Sequence, residues 1–472
     1  MKKTTTIVIL FLLCLQLNSQ CIDGGNQHTI ILAKDGTVWT MGANEYGGLG
    51  DSTFNTRIYP GIVKGLPKIK FVSRGYNHSM AIDEHQNVWT WGWNNYGQLG
   101  AELPIDYNYP QQVDRLHGIV AIEGGHWHSL ALNESGEVWS WGHNYYGELG
   151  NGNREHTEIP QLVLCKEKII QIASVGYHSL ALDIHGEVWA WGGNVYGQLG
   201  DNTTDLQSSP IKTVNLSNVI QVATGWHHSM ALKADGTVWM WGDNPYGQLG
   251  TGDFEDRLLP VQVKGLPKIK KIACGSWHTI ALDEFGSVWT WGRNGSGMLG
   301  DGKEENSPIP INISLKEIED IGGGCFQSIA TDKKGKVWVW GENWNGQLGI
   351  GNYNRMHTPV VSLITLEHGL IMSKKQINEL HPEVRNALLV PLNKDIHKAI
   401  KPEVTKSESA AVALESAASE QPQPLNKLDV FISHNKKFLL SFLLNGLLLG
   451  YIIKTKRNRK HISNKYQNTQ SV

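Results

Sequence analysis

The sequence predicts an all-β protein, a seven-bladed β-propeller of four-stranded blades, and three observations carry that expectation. Tryptophan recurs at Trp39, Trp89, Trp139, Trp189, Trp239 and Trp289 with a spacing of 50, and Trp338 follows 49 later. A Leu-Gly pair keeps the same period at Leu49, Leu99, Leu149, Leu199, Leu249, Leu299 and Leu348. No interval of these units shows helical periodicity, and a self-similarity of this length is the mark of a repeat architecture.

Each unit supplies the strands. In the sixth, residues 278–283 and 287–292 alternate in polarity about Glu284-Phe285-Gly286, whose glycine provides the positive φ of a short hairpin. Trp289 and Trp291 stand two apart and so share one face of a strand. Residues 261–263 and 269–273 are two further strands upstream. Four strands of about five or six residues plus turns fill the unit, and seven such blades in a ring expose only short edges. Thirteen of the 18 Trp lie in the Val-Trp-x-Trp-Gly strands, with Met41 replacing one, a regularity that indicates packing between blades. The first copy lacks an outer strand ahead of Ile22, and residues 358–363 follow the seventh copy without a unit of their own. Residues 359–372 are therefore expected to complete the blade begun by residues 22–50, so that pairing of N- and C-terminal strands closes the propeller, which spans residues 21–372.

The flanks indicate export. Lys2-Lys3, an 11-residue apolar run from Ile7 to Leu17 and a short polar segment make residues 1–20 a signal peptide, too short to span a bilayer; acylation of Cys21 is the alternative. Residues 373–437 form a linker: 374–400 is helix-capable but interrupted by Pro382 and Pro391, and 401–426, rich in Ala, Ser, Glu and Pro, is a flexible stalk. Residues 438–453 are 16 uncharged residues bounded by Lys436-Lys437 and by a basic tail over 454–472. As a helix they extend about 24 Å against a ~30 Å hydrocarbon core, a gap that snorkelling lysines bridge. This run is expected to be a single transmembrane helix with the tail in the cytoplasm and the propeller in the secretory pathway or cell envelope. A buried or amphipathic C-terminal helix is the rival. Of five cysteines, Cys14 leaves with the signal, and the rest have no CxxC spacing, which argues against zinc; one bridge between Cys274 and Cys325 remains open.

The unit G-x-x-H-[ST]-x-A-L-x-x-x-G-x-V-W-x-W-G-x-N-x-x-G-Q-L-G, as in residues 225–250, resembles the regulator of chromosome condensation repeat, and all seven copies share it over about three quarters of the chain. The resemblance implies a seven-bladed propeller with the clasp described above. Members of that family include a nuclear exchange factor for the small GTPase Ran, parts of large ubiquitin ligases and secreted bacterial inhibitors of β-lactamase. The fold carries over from such a resemblance; the function does not.

Candidate chemistry is sparse. His28, His78, His128, His178, His228 and His278 keep the period, and Gln327 takes the seventh place. Equivalent atoms of neighbouring blades lie about 10 Å apart, whereas zinc needs ligands within about 2.1 Å, so these imidazoles are expected to bond nearby backbone. Asn44, Asn94, Asn144, Asn194, Asn244, Asn294 and Asn343 read as turn amides. No glycine-rich strand-loop-helix arrangement exists for a nucleotide, and no departure from the repeat assembles a nucleophile, base and orienter. Those departures are Gln86, residues 295–298, Gln327 and Trp344-Asn345. Neither catalysis nor a cofactor or metal is expected.

The partner is expected to be a protein. The formal charge is −2, but the propeller holds 24 basic and 36 acidic residues, and the nine residues after each Leu-Gly hold 13 acidic and 5 basic. A nucleic acid would be repelled; a basic or neutral protein surface suits the loops. Asp253, Glu255 and Asp256 are candidate contact residues in one such loop, read as a solvated acidic loop or a weak calcium site. Tyr76, Trp127, Tyr177, Trp226, Trp277 and Phe326 stand just before the periodic position. They are either interface anchors or a plug of the ring's mouth. The expected function is that of an exported, membrane-anchored, monomeric protein-binding propeller. The resemblance leaves a guanine-nucleotide exchange factor for a small GTPase, or an extracellular hydrolase inhibitor, as alternatives.

Overall fold

The computed structural model describes residues 22–101, 104–367 and 369–370. The expected signal peptide (residues 1–20), Cys21, the expected tail segments 373–437, 438–453 and 454–472, and residues 371–372 lie outside them. Among the described residues no helix is long and apolar enough to cross a membrane.

Seven antiparallel sheets follow one another along the chain, at residues 22–62, 69–112, 119–162, 169–212, 219–262, 269–312 and 318–370. Within each, four strands pair in sequence order, and the seventh sheet adds a two-residue strand, Gly369–Leu370, against Ile364 and Thr365. The first strand of each sheet touches the first strands of its neighbours and so lines the axis. The outer strand carries a proline in every blade: Pro60, Pro110, Pro160, Pro210, Pro260, Pro310 and Pro359. A proline has no N–H to donate to a ladder, which is tolerable at an edge strand and discourages edge-to-edge association.

Packing between blades follows the tryptophans. Trp91, Trp141, Trp191, Trp241, Trp291 and Trp340 are fully buried. Five of their indoles reach back to a carbonyl of the preceding blade: Trp91 to Gly48, Trp141 to Gln98, Trp191 to Glu148, Trp241 to Gln198 and Trp340 to Met298, at 2.8–2.9 Å. The glycine after each second Trp is sterically required. At Gly92, φ is 107° and a Cβ would stand 2.6 Å from the Asn77 carbonyl oxygen.

The ring does not close by the expected exchange of an outer strand. Trp39 pairs with Ile62 and Gly42 with Arg57, so the first blade takes its outer strand, Arg57–Ile62, from the residues that follow it. The segment Met356–Thr365 is the outer strand of the seventh blade, with Val361 opposite Trp338 and Met356 opposite Gly341. The cause is phase. Residues 261–263 belong with the fifth blade, where Gln262 opposes Trp239 and the Val263 N–H donates to Val238 O, not with the sixth. With that phase the first blade is complete without residues 359–372.

The first and last blades still meet, through the residue directly after the strand Met356–Thr365. The Leu366 N–H donates to Gly335 O (2.8 Å) as the Ile69 N–H does to Gly36 O, and Leu366 O accepts from the Lys34 N–H (2.9 Å) as Lys68 O does from Glu84. Leu366 thus stands where other blades begin their inner strand, which in the first blade is only Ile22–Gly24. Ile364 and Leu366 bury against Ile22, Ile31 and Ala33, and Lys34 pairs with Glu367.

Candidate functional site

Strand register places both variable sets on one face. His78 lies opposite Gly92, His128 opposite Gly142 and His278 opposite Gly292. The turn before the imidazole and the long loop after the Trp-Gly therefore leave each blade at the same end. These segments are 25–27 and 43–56 in the first blade, and their counterparts at 75–77 and 93–106, 125–127 and 143–156, 175–177 and 193–206, 225–227 and 243–256, 275–277 and 293–306, and 324–326 and 342–355. Together they hold sixteen Asp and Glu against three Arg and a single lysine, Lys303, and seventeen aromatic residues. The hairpin turns and inter-blade crossovers of the opposite face hold ten Lys and one Arg against ten acids.

At the centre of the acidic face the aromatic residues converge. His126, which is buried, lies 4.1 Å from Tyr76, 4.3 Å from Trp127, 4.6 Å from Tyr177 and 5.2 Å from Trp226, centroid to centroid. Trp226 meets Trp277 at 5.2 Å. Tyr96, Tyr146 and Tyr246, from the long loops, brace Trp127, Tyr177 and Trp277. Phe326 joins through Arg293, whose guanidinium lies over both Phe326 and Tyr246. The six sequence candidates thus form one half-buried floor across blades two to seven, plugging the mouth and presenting ring surface together. Around it stand exposed side chains: Tyr145 and Trp344, each 65% exposed, with Val195, Phe54, Phe254 and Tyr353. On the hairpin turns of the other face the large exposed apolar side chain among the described residues is Phe285.

Sequence reasoning did not single out His126, His143 or Glu148. Their signal is a local departure: Glu148 replaces the usual Gln, accepts from the Tyr146 N–H, and pairs with His143 Nδ1 in a buried contact. In other copies Gln98, Gln198 and Gln248 accept the same tyrosine N–H. A lone buried hydrogen bond of this kind orients His143 but offers no nucleophile.

The periodic histidines bond a side chain, not the backbone. Nε2 of His28, His78, His128, His178 and His278 meets the hydroxyl of Ser79, Ser129, Ser179, Ser229 and Ser328 in the next blade, at 2.8–3.1 Å. Each of those hydroxyls donates in turn to a carbonyl of the histidine's own blade, as Ser79 does to Gly48 O at 2.9 Å. The hydroxyl proton is thereby committed, so Nε2 carries the proton and the imidazole is neutral. Burial holds His28, His78, His128, His228 and His278 down at about 3. At the ring closure Gln327 replaces the imidazole and donates to Gly25 O and His28 O of the first blade.

Asp253, Glu255 and Asp256 serve the loop in separate ways. Asp253 accepts from Arg257 and the Glu255 N–H, Asp256 accepts from the Asn244 N–H, and Glu255 is exposed. They do not converge, and no metal-binding group of three occurs among the described residues. Cys165, Cys274 and Cys325 are free thiols. The axial channel contains a cavity of about 100 Å³ lined in part by Asp23, Arg74, Glu123 and Lys271. Two of its charged groups serve closure: Arg74 pairs with Asp23 at 3.1 Å and donates to Gly323 O, tying blades two, one and seven.

Comparison with known proteins agrees with this architecture. No curated protein matches the chain. Among solved structures, human WBSCR16 is 27% identical, with a TM-score of 0.62 over 69% of this chain and 92% of that one. Yeast RCC1 (Prp20), solved with Kap60 bound, is 22% identical with a TM-score of 0.65, covering 79% of this chain and 93% of that one. Prp20p of Saccharomyces cerevisiae, whose structure was described with its binding properties to Gsp1p and histones, is 24% identical, with a TM-score of 0.65 over 76% and 95%. At those identities the two yeast structures speak for the fold alone. The sequence profile of the RCC1-like domain matches residues 158–378, and profiles of the regulator of chromosome condensation (RCC1) repeat match residues 35–82, 86–132, 20–47, 69–98 and 119–148. With seven such blades in one ring, the chain belongs to the RCC1 repeat family.

Proposed function

We propose that this chain is an exported, membrane-anchored interaction module that binds a protein partner through the face bearing the aromatic floor. The observation that carries the reading is the composition of that face. Protein interfaces are enriched in aromatic residues and arginine and depleted of lysine, and this face has seventeen aromatics and one lysine while the opposite face has ten lysines. Rigid rings such as Trp344 and Tyr145 are the side chains most often found as binding hot spots. Solved yeast relatives engage proteins, Kap60 in one case and Gsp1p and histones in the other, which accords with a binding role for the fold. Export and anchoring rest on the residue patterns of 1–20 and 436–460.

The test is capture from the native cell with the full-length tagged protein. Trp344→Ala combined with Phe254→Ser should abolish recovery of the partner, whereas Phe285→Ser on the other face should not. Loss in Phe285→Ser alone would assign binding to the wrong face. Resistance of the protein to carbonate extraction checks the anchor. Nucleotide release from small GTPases should be unaccelerated; robust acceleration would favour the exchange-factor alternative.

A further inference from the structure

The first blade breaks the pattern of the aromatic face. Its turn before the periodic histidine is Asn26-Gln27, where the other six copies carry an aromatic ring, and Gly48 replaces the Gln, Glu or Met that fills the space beside the imidazole. The vacated volume is a recess of about 320 Å³, open between the first and second blades. Tyr46 and Tyr76 supply rings to its lining, Glu45 an exposed carboxylate, and Asn26, Gln27 and Asn77 side-chain amides. Backbone bonds fix the walls: Asn26 N–H to Tyr76 O at 3.1 Å and Ala43 N–H to Gln27 O at 2.7 Å. Among the described residues neither the Glu45 carboxylate nor those three amide groups has a partner within the chain.

Rings, a carboxylate and spare carbonyl oxygens in one recess, on a face with sixteen acids and four bases, are the complement of a planar cation. A guanidinium stacks on aromatic faces while its five N–H groups reach acceptors in its plane. The same face already holds its own arginines in this manner: Arg355 lies over Trp344 at 4.3 Å, and Arg293 over Tyr246 and Phe326. We infer that the recess seats the guanidinium of an arginine presented by a basic segment of the protein partner. This rests on the binding role proposed for the face.

Gly48 provides the test, because its backbone is not left-handed and an added Cβ would meet nothing closer than 3.6 Å. Gly48→Gln restores the residue of the other copies and fills the recess without disturbing the fold, which an unchanged thermal midpoint verifies. The probe is a capped nonapeptide alternating Gly and Arg, titrated into the full-length protein by calorimetry, with Lys, Gln and Glu versions and a β-linked disaccharide as controls. The arginine peptide should bind saturably, weaken with salt, and lose at least tenfold in affinity in both Gly48→Gln and Glu45→Gln. Equal binding of the lysine peptide, preferential binding of the disaccharide, or indifference to both substitutions overturns the inference. The partner-capture experiment separates the two readings: a partner lost in Trp344→Ala with Phe254→Ser but retained in Gly48→Gln leaves the face standing and removes the recess.

Discussion

Mild acid should destabilise this propeller, and the periodic histidines set how steeply. The perturbation is a fall in pH from 7.5 to 5.5. His28, His78, His128, His228 and His278 ordinarily titrate near 6.5 and are held at about 3 in the folded chain, first by burial. A depressed histidine pKa means that the unfolded chain binds protons the folded chain refuses. Its stabilisation is complete above pH 6.5 and drains away as pH falls toward 3. Each such group costs about 1.4 kcal/mol per pH unit once the unfolded form is protonated. Five of them remove roughly 7 kcal/mol by pH 5.5, a large part of a typical stability of about 5–15 kcal/mol. Asp23 and Glu123, raised by burial, act in the opposite sense and offset part of the loss, and Asp106, pushed up to about 6 by burial, does the same as pH falls through that value. The assay is urea unfolding followed by tryptophan fluorescence at pH 7.5, 6.5 and 5.5, extrapolated to water. A stability flat to within about 1 kcal/mol over that range would show that the buried imidazoles do not hold the depressed values their burial implies. His78→Gln, which copies the residue found at 327, should lower the pH slope by one proton.

Other substitutions probe the junctions. Trp191→Phe removes the bond from Nε1 to Glu148 O and should cost about 1–2 kcal/mol; Trp291→Phe, whose Nε1 has no acceptor among the described residues, should cost distinctly less in the same melt. Leu366→Ala should cost about 2–4 kcal/mol because it opens the contact between the last and first blades, whereas Leu164→Ala, at 57% exposure on an outer edge, should stay within about 0.5 kcal/mol. Deleting residues 359–372 strips the outer strand of the seventh blade and Leu366 together, so cooperative thermal unfolding should disappear. Gly92→Ala places a Cβ 2.6 Å from the Asn77 carbonyl at φ 107°, and soluble yield should fall sharply.

The blade count and the packing of tryptophan between blades were legible because burial imposes nearly the same residues on each unit: Val-Trp-x-Trp-Gly recurs in six of the seven copies, and the first keeps a large apolar side chain, Met41, at the varied place. The phase was not legible. Outer strands such as Arg57–Ile62 and Thr157–Leu162 are half exposed and share little beyond their proline. The fourteen-residue loop joining Gly42 to Arg57 is far longer than the two- to five-residue hairpin turns that announce a pairing. The periodic proline marked an edge strand without saying whose. The aromatic candidates were visible as a set, but their convergence on His126 depends on ring geometry that spacing does not encode. Gly48 and Glu148 were legible only by asking which unit lacked a glutamine, since neither residue type attracts notice by itself.

Binding through one face of the wheel is the proposal on which the rest depends. Hydrogen exchange of the full-length protein with and without its captured partner distinguishes the two faces. Protection is predicted in the loops 43–56, 93–106, 243–256 and 342–355, with no change in the hairpin turns 84–87, 134–137, 184–187 and 284–287. Protection confined to those hairpin turns would contradict it.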